Sequence, residues 1–266
     1  MRWGVCAGRS KAASVAAAGW DYLELGVAGE LIPESDDAAA WAEKKVALLA
    51  LPLPCETFNL FVPGKLKITG PEVNRPALTR YVRTALARAA EVGGEVIVFG
   101  SGGARQLSAS GWSAEQAHEQ LLWFLNQCAD AHEKTGVVVA IEPLNRHECN
   151  LLHTVAEGAA LAREVGRPGV RNLADTYHME RNGNESLADI LAGADCLAHV
   201  HTADTGRKAP GTGVYDHAAL FTALREAGYD ARVSIECNFT DGEFEAELAQ
   251  ALAHLKRAYR SGQSAG

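Results

Sequence analysis

Short apolar runs alternate along the chain with longer stretches in which apolar residues recur at helical spacing. Several short runs are apolar nearly throughout, which is typical of strands covered on both faces, and Val137–Ile141 is the clearest case. The pattern predicts eight strands: Trp3–Ala7, Tyr22–Val27, Leu53–Val62, Val96–Gly100, Val137–Pro143, Arg171–Thr176, Leu197–Ala203 and Val233–Cys237.

Helical patterns fill the intervals between these runs. Ser113 and Gln116 form a capping-box pattern at the start of the longest one, and glycine follows several others, as left-handed C-terminal caps favour. The predicted helices are Lys11–Ala18, Asp37–Leu49, Pro76–Val92, Ser113–Lys134, Thr154–Val165, Ser186–Ala192, Asp216–Ala227 and Asp241–Arg260.

Eight strand–helix units in 266 residues predict a single closed (β/α)₈ TIM barrel, with a parallel eight-stranded sheet. A doubly wound open sheet is the alternative. No linker, repeat or low-complexity tract divides the chain, so residues 1–260 are expected to form one domain. Residues 261–266 are expected to form a disordered C-terminal tail.

Composition narrows the class of partner. The chain has 25 Lys and Arg against 33 Asp and Glu, a formal net charge of −8, which disfavours nucleic acid and anionic membrane surfaces as partners. No apolar stretch approaches the roughly 20 residues of a membrane span, and the N-terminus lacks a signal-peptide pattern. The six cysteines are scattered without a C-x-x-C pair, which favours a reducing cytoplasm.

Four ionisable residues follow or end successive apolar strands in the second half of the chain. They are Glu142, Asp175, His201 and Glu236. In a barrel, the carboxyl ends of strands meet at one face, where three carboxylates and an imidazole would repel one another unless a cation joined them. This oxygen-rich set predicts a divalent cation such as Mn²⁺, Mg²⁺ or Co²⁺.

The surrounding motifs have specific spacing. They are Glu142-Pro-Leu-Asn-Arg-His-Glu148, Asp175-Thr-Tyr-His178-Met, His201-x₅-Arg207 followed by Ala-Pro-Gly-Thr-Gly213, and Glu236. In these motifs the chain resembles the xylose-isomerase-like TIM-barrel superfamily of sugar isomerases and epimerases. Within it, the resemblance is to the ketose 3-epimerases related to D-tagatose 3-epimerase, and it is loose in the N-terminal half.

The resemblance implies one divalent metal, with Mn²⁺ first and Mg²⁺, Co²⁺ or Zn²⁺ also able to bind. It implies that Glu142 and Glu236 act as acid and base on opposite faces of a substrate carbon, through an enediolate. It further implies that Glu148, His178 and Arg207 hold oxygens of a small sugar or keto-polyol. A homodimer or homotetramer is expected from the same resemblance.

Weaker features remain open. Cys6, Asn59 and Trp112 are expected to line the pocket. His199 is expected on the strand face opposite to His201, either supporting a metal ligand from behind or in a packing contact. The glycine-rich segment Phe99-Gly-Ser-Gly-Gly-Ala-Arg105 is either a tight turn or a loop that approaches substrate or phosphate. It lacks the Lys-Ser/Thr of a nucleotide-binding loop, so no nucleotide or organic cofactor is predicted.

Other functions share parts of this pattern. A hydroxypyruvate-isomerase-type enzyme or an inosose-dehydratase-type lyase would use the same metal set. An endonuclease IV-like nuclease would need further histidines, which are not seen after strands three and four, and a DNA partner, which the net charge disfavours. A non-catalytic barrel is disfavoured by the complete set of ligands and the two glutamates.

Overall fold

Eight parallel strands close into a barrel in chain order, with β8 pairing back to β1. The computed structural model describes residues 1–107, 111–183 and 185–263. The strands are β1 Arg2–Cys6, β2 Tyr22–Gly26, β3 Thr57–Asn59, β4 Val96–Phe99, β5 Val138–Ile141, β6 Val170–Asp175, β7 Leu197–Thr202 and β8 Arg232–Ile235. The predicted TIM barrel is therefore confirmed, and the alternative of an open sheet is wrong.

Strand β3 is the one that differs most from its prediction. The apolar run Leu53–Val62 suggested a long strand, but only Thr57–Asn59 is one. Pro54 lacks the backbone N–H that a ladder needs. Leu60 has a φ of +49°, which turns the chain out of the sheet directly after Asn59.

Helices connect the strands around the outside of the barrel. They are α1 Ala12–Ala17, α2 Val27–Glu30, α3 Ala38–Leu49, α4 Arg75–Glu91, α5 Ala114–Thr135, α6 Val155–Val165, α7 Thr176–Asn182, α8 Leu187–Ala192, α9 His217–Glu226 and α10 Phe244–Gln263. The capping box at Ser113 is confirmed at the start of α5. None of the described helices is long and apolar enough to span a membrane.

Two short helices were not predicted, and the C-terminal boundary differs. Helices α2 and α7 begin directly after β2 and β6. Helix α10 continues to Gln263, so the tail expected from residue 261 starts inside a helix, while residues 264–266 lie outside the described part of the chain.

The barrel interior is divided between apolar and polar contents. Val96, Val98, Ala140 and Leu173 form a small apolar cluster from β4, β5 and β6. The main apolar core includes the outward faces of the strands and the inner faces of the helices. On the side of β2, β3, β7 and β8, buried polar side chains occupy the interior instead. The polar part leads up to the carboxyl ends of the strands.

Candidate active site

Glu142, Asp175, His201 and Glu236 lie together at the carboxyl ends of β5 to β8. One ligand atom from each lies within 4.8 Å of the others. Nδ1 of His201 is 3.1 Å from Glu142 Oε1, 3.6 Å from Glu236 Oε2 and 3.9 Å from Asp175 Oδ2. The imidazole is thus surrounded by three carboxylates from three other strands.

The strand ladder sets these positions. The N–H of Glu142 donates to Phe99 O at 3.1 Å, and the N–H of Glu236 donates to Thr202 O at 3.1 Å. Each glutamate therefore continues the pairing of its strand by one residue. Because side chains alternate along a strand, these bonds hold both carboxylates on the inner face.

The donor set fits a hard divalent cation. Asp175 Oδ1 accepts a hydrogen bond from the N–H of Tyr177 at 2.7 Å, at the start of α7. Asp175 Oδ2 is buried and has no hydrogen-bond partner among the described residues. A buried carboxylate oxygen without a donor is costly. A cation held by three carboxylates and one imidazole would satisfy it.

Burial and mutual charge shift the acidity of the cluster. Burial raises the pKa of Glu142. It also raises the pKa of Asp175 to about 7, and the charge of Glu236 acts in the same direction. Burial opposes ionisation of Glu236 too, but the hydrogen bond and charge of His201, with Arg207, lower its pKa to about 2. The three carboxylates are therefore electrostatically distinct.

Glu24 is a site residue that the sequence analysis missed. This β2 side chain is 1% exposed, and its Oε1 lies 2.8 Å from Nε2 of His201. With the Nε2 proton directed at Glu24, Nδ1 of His201 faces the three carboxylates. The signal was present in the sequence, because Glu24 stands between Leu23 and Leu25 and must point inward if the two leucines point outward.

His199 is not on the face that was predicted. Residues two apart in a strand share a face, so His199 and His201 both point into the barrel, and the expectation of opposite faces is wrong. Nε2 of His199 lies 3.0 Å from Glu24 Oε2. Glu24 thus joins both histidines of β7 from the other side of the barrel.

His178 is oriented by its neighbour Asn145. The backbone N–H of Asn145 donates to Nδ1 of His178 at 3.2 Å, and the side-chain amide nitrogen lies 2.9 Å from the same atom. With Nδ1 accepting, the ring proton is on Nε2, 3.7 Å from Asp175 Oδ2. His178 therefore presents a donor toward the cluster. The amide of Asn145 also donates to Glu148 Oε1 at 2.8 Å.

Arg207 is held over the cluster by the loop after β7. Its guanidinium donates to Glu236 Oε2 at 2.7 Å, lies 3.7 Å from Glu148 Oε1, and stacks 4.6 Å from the centre of the Tyr177 ring. Asp204 organises the loop by accepting from the N–H groups of Thr205, Gly211 and Tyr215. Apart from histidine, Arg207 is the one cationic side chain among the described residues that line the cavity above the cluster.

A cavity of about 380 Å³ lies above the cluster. Glu142, Glu148, His178, Arg207, Glu236 and Asn59 all line it. Cys6 lies lower, with Sγ 3.9 Å from Nε2 of His201, and is not among the described lining residues. Trp112 is also elsewhere: its indole donates to Gln120 and borders a separate surface cavity. Of the three residues expected to line the pocket, Asn59 does so, whereas Cys6 and Trp112 are not among the described lining residues.

The glycine-rich segment after β4 is shaped by the site itself. A Cβ at residue 100 would overlap Glu142 Oε2, so only glycine leaves room for that carboxylate. Ser101 Oγ accepts from the N–H of Val62, and the N–H of Ala104 donates back to Ser101 O. This segment is a tight turn against Glu142, as one expectation had it, and residues 100–103 also line the cavity, so the other expectation, an approach to substrate, stays a prediction.

The fold agrees with the comparison to known proteins. The family model described as xylose isomerase-like TIM barrel matches residues 12–258. The chain belongs to this family. The four-residue cluster and the cavity therefore stand at the end of the barrel where enzymes with this fold carry their active sites.

Several proteins that are similar to this chain are epimerases. An L-ribulose 3-epimerase of Methylomonas sp. is 26% identical over 261 residues, which is 94% of this chain and 85% of that protein. A D-psicose 3-epimerase of Agrobacterium fabrum is 34% identical over 112 residues, covering 42% of this chain and 39% of that protein. The structure of a 3-keto-D-glucoside 4-epimerase from E. coli superimposes with a TM-score of 0.81 at 25% identity, covering 97% of this chain and 99% of that chain.

Proposed function

We propose that this protein is a divalent-metal-dependent sugar epimerase that inverts C3 of a ketose, with Glu142 and Glu236 as the acid/base pair. The observation that carries the proposal is the placement of these two carboxylates. They come from β5 and β8, three strands apart around the barrel, and converge on the same imidazole below one cavity. The similarity to 3-epimerases supports the position of inversion.

The metal would be held by Glu142, Asp175, His201 and Glu236, with Mn²⁺ the first candidate. A cation there would act as a Lewis acid toward the oxygens of a bound ketose. It would thereby lower the pKa of the C–H group next to the ketone. The unpartnered Asp175 Oδ2 and the oxygen-rich donor set support this assignment. The same set also suits Mg²⁺ and Co²⁺, and Zn²⁺ is a further candidate.

Two carboxylates are what inversion at one carbon requires. One must remove the C3 proton from one face, and the other must return a proton to the opposite face. Glu142 and Glu236 approach the cavity from different sides, so each can serve one face of a substrate that lies between them. Which of the two removes the proton depends on the configuration of the sugar.

The remaining polar residues of the cavity would hold substrate oxygens. Arg207 offers hydrogen-bond donors beside Glu236. His178 offers the N–H at Nε2, because its Nδ1 accepts a hydrogen bond from Asn145. Glu148 offers a carboxylate acceptor at the rim, 3.7 Å from the Arg207 guanidinium. Together they would orient a small uncharged polyol such as a ketose.

The test follows deuterium from D₂O into a panel of free ketoses, hydroxypyruvate, an inosose and a 3-keto-glycoside by NMR, with and without added Mn²⁺. We expect deuterium at C3 together with the inverted epimer, loss of turnover on chelation, and recovery with Mn²⁺. Exchange at a terminal carbon would indicate an isomerase of the hydroxypyruvate type. Loss of water would indicate a dehydratase, and inversion at C4 of a keto-glycoside would indicate a 4-epimerase.

Substitution tests the acid/base pair. Glu236→Gln keeps the size of the side chain but cannot accept a proton, so we expect kcat to fall by roughly 10²–10⁴-fold with the fold retained. Glu43→Gln, on the exposed face of α3, is the matched control and should leave kcat unchanged. Turnover of Glu236→Gln near the wild-type rate would refute the two-glutamate mechanism.

A further inference from the structure

Arg105 is the largest fully buried side chain among the described residues, and it carries a guanidinium into the wall behind Glu142. It donates to three backbone carbonyls: Nε to Gly100 O at 2.5 Å, Nη1 to Leu151 O at 2.7 Å and Nη2 to Glu142 O at 2.7 Å. No ion pair joins it to a carboxylate of the described residues. Its charge is balanced by carbonyl dipoles.

Burying such a group is costly, and burial lowers the pKa of Arg105 as expected. A methionine or leucine could fill the same space without that cost. The guanidinium donates to three backbone carbonyls, and without it each carbonyl would need another hydrogen-bond donor. These carbonyls belong to three different segments of the cavity wall.

Arg105 binds all three segments at once, in addition to the backbone hydrogen bonds that join them in pairs. Gly100 follows β4 and faces the Glu142 carboxylate, Glu142 follows β5, and Leu151 lies in the loop that carries Glu148. The N–H of Glu142 is already bound to Phe99 O. With its carbonyl bound to Arg105, both backbone polar groups of Glu142 are fixed, and only its side-chain torsions remain free.

We propose that Arg105 is a positioning residue that holds Glu142 in place for proton transfer by fixing its backbone carbonyl. The inference rests on the proposed acid/base role of Glu142. A displacement of about 1 Å at a reacting group can lower a rate by about 100-fold. The three carbonyl bonds restrain that displacement.

Arg88 provides a matched control elsewhere in the same chain. It is 9% exposed, and its guanidinium donates to the carbonyls of Leu31, Ile32 and Ser35. These three residues are not among the described residues that line the cavity. Arg88 therefore matches Arg105 in the kind of hydrogen bond, is slightly less buried (9% exposed against 0%), and lies away from the cavity.

The experiment compares Arg105→Lys, Arg105→Met and Arg88→Lys at a temperature where each is folded, with kcat normalised to the folded fraction. Lysine keeps the charge but has a single donor nitrogen in place of three, and methionine keeps only an apolar side chain of similar length. We expect both Arg105 variants to lose about 100-fold in kcat with KM changed less than about threefold, and Arg88→Lys to stay within about twofold. Hydrogen exchange of the Glu142 amide should accelerate in both Arg105 variants and not in Arg88→Lys.

Three results would overturn the inference: kcat of both Arg105 variants within about twofold of wild type, equal losses in Arg105→Lys and Arg88→Lys, or failure of both Arg105 variants to fold at any temperature. The last would make Arg105 a purely structural residue. Hydrogen exchange at Glu142 does not depend on substrate. If wild-type protein turns over no sugar of the panel, that measurement still separates failure of the proposed function from failure of this inference.

Discussion

The most densely bonded carboxylate of the interior is Glu24. Its Oε2 accepts from Thr57 Oγ1 at 2.7 Å and Ser234 Oγ at 2.6 Å, and lies 3.0 Å from His199 Nε2. Its Oε1 is left for His201. The charges of the two histidines outweigh burial and hold the pKa of Glu24 well below its usual range. The carboxylate therefore acts as a fixed anion behind the imidazole of the proposed metal site.

Glu24→Gln is expected to weaken metal binding by roughly 10–100-fold, because the carboxylate that fixes the tautomer and raises the basicity of a ligating histidine is lost. Calorimetric titration with Mn²⁺ measures the effect. Tyr22→Phe is the control, since it removes only the hydroxyl that meets Ser234 Oγ at 2.9 Å and leaves both histidines on Glu24. Equal affinity in wild type and Glu24→Gln would show that Glu24 does not support the site.

At the scale of elements, the turns at the carboxyl ends of the strands position the side chains of the candidate site. The turn after β4 approaches Glu142 so closely that residue 100 has no room for a Cβ. The turn after β6 forms a helix at once, and Asp175 caps it with Oδ1 while Oδ2 stays in the cluster. One aspartate thus ends a strand, starts a helix and contributes to the site.

Gly100→Ala is expected to lower kcat by at least about 100-fold. The added methyl would overlap Glu142 Oε2 and displace the carboxylate, and a displacement of about 1 Å at a reacting group can lower a rate by about 100-fold. Steady-state kinetics and a Mn²⁺ titration check the result. Gly64→Ala serves as the control in the same cavity, since its Cβ would meet Gly103 backbone atoms at 3.5 Å, an ordinary contact. If both alanines are equally active, the space at residue 100 does not position Glu142.

How far the elements could be predicted depends on how local their signals are. The Ser113 cap and the start of α3 at Asp37 are set by hydrogen bonds within one turn, so the pattern of residues located them. Strand β3 was overpredicted because Cys55, Phe61 and Val62 pack in the core without joining the ladder. Helices α2 and α7 are too short to show a helical period.

For the molecule as a whole, the end of the barrel opposite to the site is closed by an ion cluster. Glu56 binds Arg2 of β1 and Arg232 of β8, with Arg232 Nε 2.6 Å from its Oε2. Arg232 also lies 2.6 Å from Glu95, directly before β4. The cluster links the first and last strands to the middle of the chain, at the end of the barrel away from the candidate site.

Glu56→Gln is expected to lower the free energy of unfolding by about 2 kcal/mol, less than the roughly 3–5 kcal/mol of a fully buried pair because Arg2 is half exposed. Denaturant unfolding measures it, and kcat/KM of the folded protein should not change. Glu34→Gln, which breaks an exposed pair with Lys65, should cost less than about 1 kcal/mol. A large loss of activity in Glu56→Gln would contradict the separation of the two ends.

The sequence by itself determined the barrel and the four residues of the proposed metal site. Each of those signals is local: a run of apolar residues makes a strand, and Glu142, Asp175, His201 and Glu236 stand at or just past the ends of such runs. Parallel strands then bring their carboxyl ends to one face whatever the details of packing.

Only the tertiary structure decided which side chains support that site. Glu24 and His201 are 177 residues apart, and Arg105 reaches carbonyls 37 and 46 residues away. Trp112, beside a glycine and expected in the pocket, pairs with Gln120 on its own side of the barrel instead. The long-range partnerships of Glu24 and Arg105 follow from the closure and register of the barrel, which no local pattern of residues encodes.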